Sequence, residues 1–324
     1  MNASANGFTV LQSGWVRPPG EHERERLAAA GARLVVRHCP TEEELIEHGR
    51  EVDALITLDE PCSARVIAAL ERCRVISRLG VGVDRVDLPA AASAGIIVAN
   101  VPDFCVDEVS DHALMLLLAL ARRLPALIAH ARAGGWDSIA AAGEVQRLRG
   151  QTLGLIGFGR IGRSLAGKTG ALGLRLCAYD PKLDAATIRS GGAEPLDLPD
   201  LLAVSDFVSV HAPLTAETRG LLGAAELAML RPSAFVINVA RGALIDQSAL
   251  VDALRREALA GAALDVLDPE PPDPSDPLLS MTNVIVTPHA AHYSVQAQED
   301  VRRQAFENVA RVLEGGETLH AVVA

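Results

Sequence analysis

The stretch Gly157-Phe158-Gly159-Arg160-Ile161-Gly162 follows the apolar run Leu153-Gly154-Leu155-Ile156 and opens a helical pattern that continues to Leu172. A strand, a glycine turn and a helix in that order place free backbone amides at a helix N-terminus, where a diphosphate binds. Gly157 serves the tight turn, Gly159 lets backbone approach the pyrophosphate, and Gly162 allows helix and strand to pack closely. Asp180 closes the next apolar run, where a carboxylate accepts hydrogen bonds from ribose hydroxyls and repels a ribose phosphate. The spacing therefore points to a dinucleotide, and to NAD over NADP.

Three further side chains sit just after apolar runs downstream. Arg241 follows Val236-Ile237-Asn238-Val239-Ala240, Glu270 follows Leu264-Asp265-Val266, and His289 follows Ile285-Val286-Thr287-Pro288. In an open parallel sheet the C-terminal strand ends line the ligand crevice, which would bring all three to the nicotinamide. Losing hydride from a carbon that bears a hydroxyl requires a base for the hydroxyl proton, and His289 titrates in the right range. Glu270 is placed to hold one imidazole tautomer and stabilise the imidazolium. Arg241 supplies a planar two-pronged donor for an anionic substrate, where Lys would match less well. Each has a plainer explanation: a structural histidine, a turn at Arg241-Gly242, a solvated acid among prolines.

These loops need a scaffold, and the chain reads as one. Apolar runs at 8–11, 33–36, 54–58, 75–79 and 96–99 alternate with helical patterns at 21–30, 41–47, 63–70 and 88–94. That is βα repetition, predicting a parallel sheet covered on both faces. Pro102 marks a break. The segment 106–130 then predicts one long helix, apolar nearly all round and so buried on several sides, either between domains or against a second subunit, ended by Gly134-Gly135. A second series has strands at 153–156, 174–179, 207–210, 235–239, 262–266 and 284–287, with helices at 161–172, 198–204, 224–229 and 247–257. It fits a doubly wound sheet. The pattern at 295–313 predicts a C-terminal helix returning to the first domain, so that the chain crosses between domains near Pro102 and near Pro288, with a cleft at the crossings.

Composition agrees. With 324 residues and 49% hydrophobic content the chain has material for two cores, and 3% aromatics favours layers packed through small side chains. A net charge of -11 argues against a nucleic-acid or anionic-membrane binder. The five cysteines are odd in number and scattered, without metal-ligand spacing, which predicts buried thiols, no metal and a cytoplasmic protein. The start, Met1-Asn2-Ala3-Ser4-Ala5-Asn6-Gly7, shows no secretory pattern. The most apolar run, 113–121, is far short of the ~20 residues of a membrane span.

Over roughly residues 50–313 the sequence resembles the D-isomer-specific 2-hydroxyacid dehydrogenase family. The matching pieces, in order, are Leu79-Gly80-Val81-Gly82-Val83-Asp84, Asp107-Glu108-Val109-Ser110-Asp111-His112-Ala113, the glycine turn, and His211-Ala212-Pro213-Leu214-Thr215. Asn238-Val239-Ala240-Arg241-Gly242, Leu264-Asp265-Val266 with Glu270, and Thr287-Pro288-His289-Ala290-Ala291 complete the series. The resemblance implies an α/β fold in which a Rossmann-type NAD-binding domain, 102–290, is inserted into a smaller flavodoxin-like substrate domain, 1–101 plus 291–324. It implies NAD-dependent interconversion of a small anionic D-2-hydroxy acid and its 2-keto acid. Arg241 would bind the carboxylate and carbonyl, His289 would be the acid/base, Glu270 would orient it, and amides at Val81 and Gly82 would hold the carboxylate. Asp265 would anchor the nicotinamide amide, and Arg160, Ile161, His211, Pro213, Thr218, Val239, Ala240 and His289 would join the cofactor-binding set. A homodimer built largely on 106–130 is also implied.

Within the family the Cys105-Val106-Asp107-Glu108-Val109 and His289-Ala290-Ala291-His292-Tyr293-Ser294 pieces look closest to the branch that includes the C-terminal-binding-protein corepressors. That branch typically has Trp where His292 stands, so His292 reads either as a polar wall of the substrate pocket or as an ordinary residue before the last helix. Asp59 and Glu60 fall where the family's substrate loop lies. Two acids there, and a sequence without a regulatory extension, lean away from 3-phosphoglycerate. Two other readings stay open: an NADH-sensing corepressor-like binding protein with little turnover, and a dehydrogenase whose hydride donor is formate or phosphite, which the Glu270–His289 pairing disfavours.

Overall fold

The computed structural model describes residues 7–14 and 18–322. Residues 1–6, on which the reading of the N-terminus for a secretory pattern rests, lie outside them. The described chain forms two compact units, one from Met1–Phe104 and Ser294–Ala324, the other from Cys105–Tyr293.

The first unit begins β1 (Phe8–Gln12), α1 (Glu21–Ala29), β2 (Ala32–Val36), α2 (Glu42–Gly49), β3 (Ala54–Thr57), α3 (Ala64–Ala69), β4 (Val75–Arg78), α4 (Leu88–Ser93) and β5 (Ile97–Ala99). Local sequence sets the helix starts. Thr41 and Glu44 form a reciprocal capping box at α2, Ser63 caps α3 and Asp87 caps α4, each worth about 1 kcal/mol. β3 and β4 are buried at every position, as apolar runs under helices on both faces must be.

The second unit comprises α5 (Val106–Ala121), α6 (Leu124–Arg132), α7 (Ser138–Ala142), β6 (Thr152–Ile156), α8 (Arg160–Gly170), β7 (Arg175–Tyr179), α9 (Ala185–Ser190), β8 (Glu194–Pro195), α10 (Leu198–Val204), β9 (Phe207–Val210), α11 (Ala224–Leu227), β10 (Phe235–Asn238), α12 (Gln247–Arg255), β11 (Gly261–Leu264) and β12 (Val284–Val286). Its strands form a 7-stranded sheet in the order β12-β11-β10-β9-β6-β7-β8. Every pair in it is parallel. The order reverses between β6 and β9, the switch point where doubly wound sheets bind ligands.

The chain then returns to the first unit through α13 (Val295–Leu313), capped by Ser294, and β13 (Ala321–Val322). The first sheet is 6-stranded, in the order β13-β5-β4-β3-β1-β2, parallel except for β13 against β5. Ser77 on β4 donates to the Ala305 carbonyl of α13 at 2.9 Å, and Arg26 of α1 pairs with Glu307 and Glu314 at 2.6 and 2.7 Å.

The expected helix over 106–130 is instead two helices, α5 and α6, bent by 63°. Pro125 has no N–H to bond the Ala121 carbonyl and its ring crowds that group, so α5 stops there. Arg123 takes a left-handed φ of 51° at the corner. Within the one chain α5 buries one face and α6 has no buried residue. Among the described residues no single helix is long and apolar enough to cross a membrane. α7, α9 and the two-residue strands β8 and β13 are elements that the sequence pattern does not predict. All five cysteines are buried and unbridged.

Candidate active site

Gly157 has φ +89°, and a Cβ there would lie 2.7 Å from the backbone of His211 and Ala212. A Cβ at Gly162 would collide with the Gly157 carbonyl, whereas at Gly159 it would meet open space. The turn is therefore tight on its inner side and open where a ligand would approach. α8 starts at Gly159 with no side-chain cap and no acid in its first turn, so its first amides and its dipole are available to an anion. Arg160 is exposed and Ile161 half-buried at this end.

Asp180 Oδ2 accepts from the Phe158 amide of the turn at 2.9 Å, and Oδ1 accepts from the Lys182 amide at 2.9 Å. Each oxygen keeps a lone pair for a ribose hydroxyl. His211 bonds Ser209 Oγ through Nε2 at 2.8 Å, while its Nδ1 is buried with no hydrogen-bond partner in the protein. Burial pushes the imidazole down to about 4, so it is neutral at physiological pH. Thr218 donates to the Pro213 carbonyl at 2.7 Å and so braces the loop after β9. An open glycine, an uncapped helix end, a ring nitrogen awaiting a partner and a carboxylate at the end of β7 together fit a dinucleotide.

His289 and Glu270 meet directly, with Nδ1 2.7 Å from Glu270 Oε2. The carboxylate accepts, so Nδ1 carries the proton and Nε2 is the ring nitrogen not bonded to Glu270. The hydrogen bond to Glu270 is the main influence holding the imidazole above its ordinary range; burial opposes it, as does the Arg241 charge, while the charges of Glu270 and Asp265 assist. Burial alone would raise Glu270, but the His289 bond and charge, the Leu267 amide and Arg241 outweigh it and hold the carboxyl below its usual range. Glu270 Oε1 accepts from that Leu267 amide at 2.9 Å.

Arg241 lies on the loop after β10. Buried Asn238 shapes this loop, donating from Nδ2 to the Arg241 carbonyl at 2.8 Å and accepting from the Ala240 amide at 3.0 Å. Val239 is buried and Ala240 half-buried beside it. The adjacent Gly242 packs on the Leu267–Asp268 backbone with no room for a Cβ.

Asp265 is almost wholly buried at the end of β11. Its Oδ1 accepts from Thr287 Oγ1 at 2.6 Å and the Ala290 amide at 2.9 Å, and Oδ2 accepts from the Ala291 amide at 2.9 Å. The role visible in the fold is thus to gather the His289 loop around one carboxylate. His289 itself has a left-handed φ of 51°, a conformation that costs about 1 kcal/mol or more and persists where surrounding bonds enforce it. The His292 ring stands edge-on to His289, centroids 5.9 Å apart.

Val81 and Gly82 belong to the other unit, on the loop after β4, where Asn100 Nδ2 donates to the Val81 carbonyl at 2.6 Å. The two acids expected to repel a phosphate do not present a bare negative surface. Glu60 is buried and accepts from Thr57 Oγ1 and the Leu58 amide, both at 2.7 Å. Asp59 is paired with Arg78 at 2.9 Å. Neither acid therefore gives a reason to disfavour a phosphorylated acid.

Asn238, His112 and Thr287 stand inside the quoted motifs but carry no local signal of a role. Only their contacts reveal what they do.

Residues 114–291 match the family model described as the NAD binding domain of D-isomer specific 2-hydroxyacid dehydrogenases. The chain is 35% identical over 306 residues to a D-3-phosphoglycerate dehydrogenase of Archaeoglobus fulgidus, covering 94% of this chain and 58% of that protein. It therefore spans little more than half the length of that relative. A glyoxylate reductase of Korarchaeum cryptofilum is 36% identical over 275 residues, 83% of this chain and 82% of its own. The crystal structure of a glyoxylate reductase from Paecilomyes thermophila superposes with a TM-score of 0.89 at 28% identity, covering 98% of both chains. A doubly wound sheet with an open glycine cradle, a histidine–carboxylate pair on its neighbouring loops, and these likenesses place the chain in the D-isomer-specific 2-hydroxyacid dehydrogenase family, with that family's NAD-binding domain in its second unit.

Proposed function

We propose that this protein is an NAD-dependent oxidoreductase that interconverts a small anionic D-2-hydroxy acid and its 2-keto acid. The single observation that carries this reading is the 2.7 Å pair of His289 and Glu270, with Arg241 acting electrostatically on both. When bound, the dinucleotide supplies or accepts the hydride at the substrate carbon. In reduction, His289 Nε2–H gives its proton to the carbonyl oxygen, which becomes the hydroxyl, and Glu270 stabilises the imidazolium beforehand. Arg241 binds the carboxylate and polarises the carbonyl. In oxidation each transfer runs backward.

The first unit is the substrate domain in this reading, with the amides at Val81 and Gly82 as carboxylate donors, and Asp180 favours NAD over NADP. His292 adds a polar imidazole beside His289, which suits a small or polar substituent on the acid. A homodimer is supported by the apolar side chains that α5, α6 and the following segment leave exposed, among them Met115, Leu124, Ile128, Trp136 and Ile139.

The test is a panel of glyoxylate, hydroxypyruvate, pyruvate and bulkier 2-keto acids, each with NADH and NADPH, on the parent and on His289→Ala. Turnover with NADH that falls by about a hundredfold or more in the variant, while NADH still binds, is the expected result. Unchanged turnover in His289→Ala would remove the assignment.

A further inference from the structure

We propose that His112 and Thr287 are positioning residues for the proton relay, acting through Asp265 to hold the loop that presents His289 to Glu270. The inference rests on the acid/base role of His289 proposed above and adds what places it.

Thr287 Oγ1 donates to Asp265 Oδ1 at 2.6 Å. Having donated its one proton, that hydroxyl accepts from His112 Nε2 at 3.0 Å, and His112 Nε2 lies 3.5 Å from Asp265 Oδ1. The chain of bonds therefore runs from His112 on α5 through Thr287 to the Asp265 carboxylate, and its direction fixes a proton on His112 Nε2. From Asp265 the bonds fan out over the loop that bears His289. The carboxylate takes the amides of Ala290 and Ala291, and the Asp265 carbonyl takes the His289 amide at 2.8 Å.

Four hydrogen bonds thus converge on Asp265, and the left-handed backbone of His289 sits inside them. Hydrogen-bonded chains of this kind hold a unique arrangement only when every member is satisfied. Removing the Thr287 hydroxyl breaks two bonds at once. It leaves His112 Nε2 without its acceptor and lets Asp265 turn, and the loop then no longer keeps His289 on Glu270. Neither Thr287 nor His112 needs to touch the substrate for this to alter the relay.

The readout is the titration of His289 in the full chain, followed by NMR with ring-labelled histidine and assigned by comparison with His289→Gln. The groups that face the His289 ring are Glu270, Arg241, Asp265 and His292, and none of them is changed in the variants. Thr287→Val is expected to lower the His289 midpoint toward its ordinary value by about half a unit or more, because the Glu270 bond is what raises it. Thr287→Ser, which keeps the hydroxyl, is expected to restore most of the parent midpoint, and His112→Leu to move it in the same direction as Thr287→Val. A midpoint that stays at the parent value in both folded Thr287→Val and folded His112→Leu overturns the proposal. The measurement needs no substrate. If the keto-acid panel fails while the midpoint moves, only the activity is misassigned; if turnover is present and the midpoint stays, only the positioning role falls. Should Thr287→Val not fold, His112→Leu alone decides.

Discussion

Gly242 lies against the Leu267 carbonyl so closely that a methyl group at position 242 would occupy the same space. The loop that carries Arg241 and the loop that carries Glu270 are therefore gauged against each other by backbone contact, without flexible side chains between. Gly242→Ala must push them apart. Overpacking of this kind costs about 1–3 kcal/mol, and displacing a substrate-positioning group by an ångström costs on the order of a hundredfold in rate. We expect kcat to fall by about 10- to 100-fold with NADH affinity nearly unchanged, checked by steady-state kinetics alongside fluorescence titration. Parent-like kcat would show that the contact does not set the geometry.

The pH dependence follows from the raised imidazole. Reduction needs His289 protonated, so kcat for the keto acid is expected to hold past the ordinary histidine value near 6.5 and to decline as pH climbs through the raised one. Oxidation needs the neutral ring and has the opposite slope. Glu270→Gln removes the principal influence that raises His289, and its reductive profile is expected to break at lower pH than the parent's. Profiles of both directions from pH 5 to 9 test this; a break that stays put in Glu270→Gln argues against the pair as the source.

Cofactor choice should turn on Asp180. Its carboxylate sits at the end of β7 and is oriented by the Phe158 amide of the glycine turn. In Asp180→Ser the acceptor pair for the ribose is weakened and the repulsion of a ribose phosphate is lifted. NADH is expected to bind about tenfold more weakly and NADPH more tightly than in the parent, a difference readable by calorimetry. Equal losses for both cofactors would assign Asp180 to shaping the turn alone.

The exposed apolar side chains between Met115 and Ile139, with Trp136 at 96% exposure, supply the test of assembly. A second copy of the chain would cover these side chains. Light scattering should give twice the mass of one chain for the parent and one chain mass for Ile128→Glu at micromolar concentration. A parent that runs as a monomer would dispose of the dimer.

Much of this molecule is legible in its sequence. The glycine turn, the strand-helix alternation and the three loops bearing Arg241, Glu270 and His289 announce themselves because each is a local signal, a spacing or a period along the chain. What escaped depends on partners far away in sequence. β8 and β13 are too short to show a period and exist only because β7 and β5 offer edges to them. Asp59 and Glu60 looked like a matched pair, yet one faces Arg78 and the other is buried in its own turn. The corner at Arg123 has a local signal in Pro125, whose missing N–H is masked by the apolar run around it. Asp265 drew attention for a cofactor, whereas its bonds to Thr287, Ala290 and Ala291 appear only once β11 and β12 lie side by side.

The return of the chain to its first sheet bears on how the protein is made. α13 supplies the partners of Ser77 and Arg26, but the ribosome delivers it only after all of Cys105–Tyr293. At about 5–20 residues per second that interval is on the order of 10 to 40 seconds. Through it β4 waits without its covering helix while the inserted unit, continuous in sequence, is free to fold. The first unit thus completes its sheet only after the whole of the inserted unit has been made.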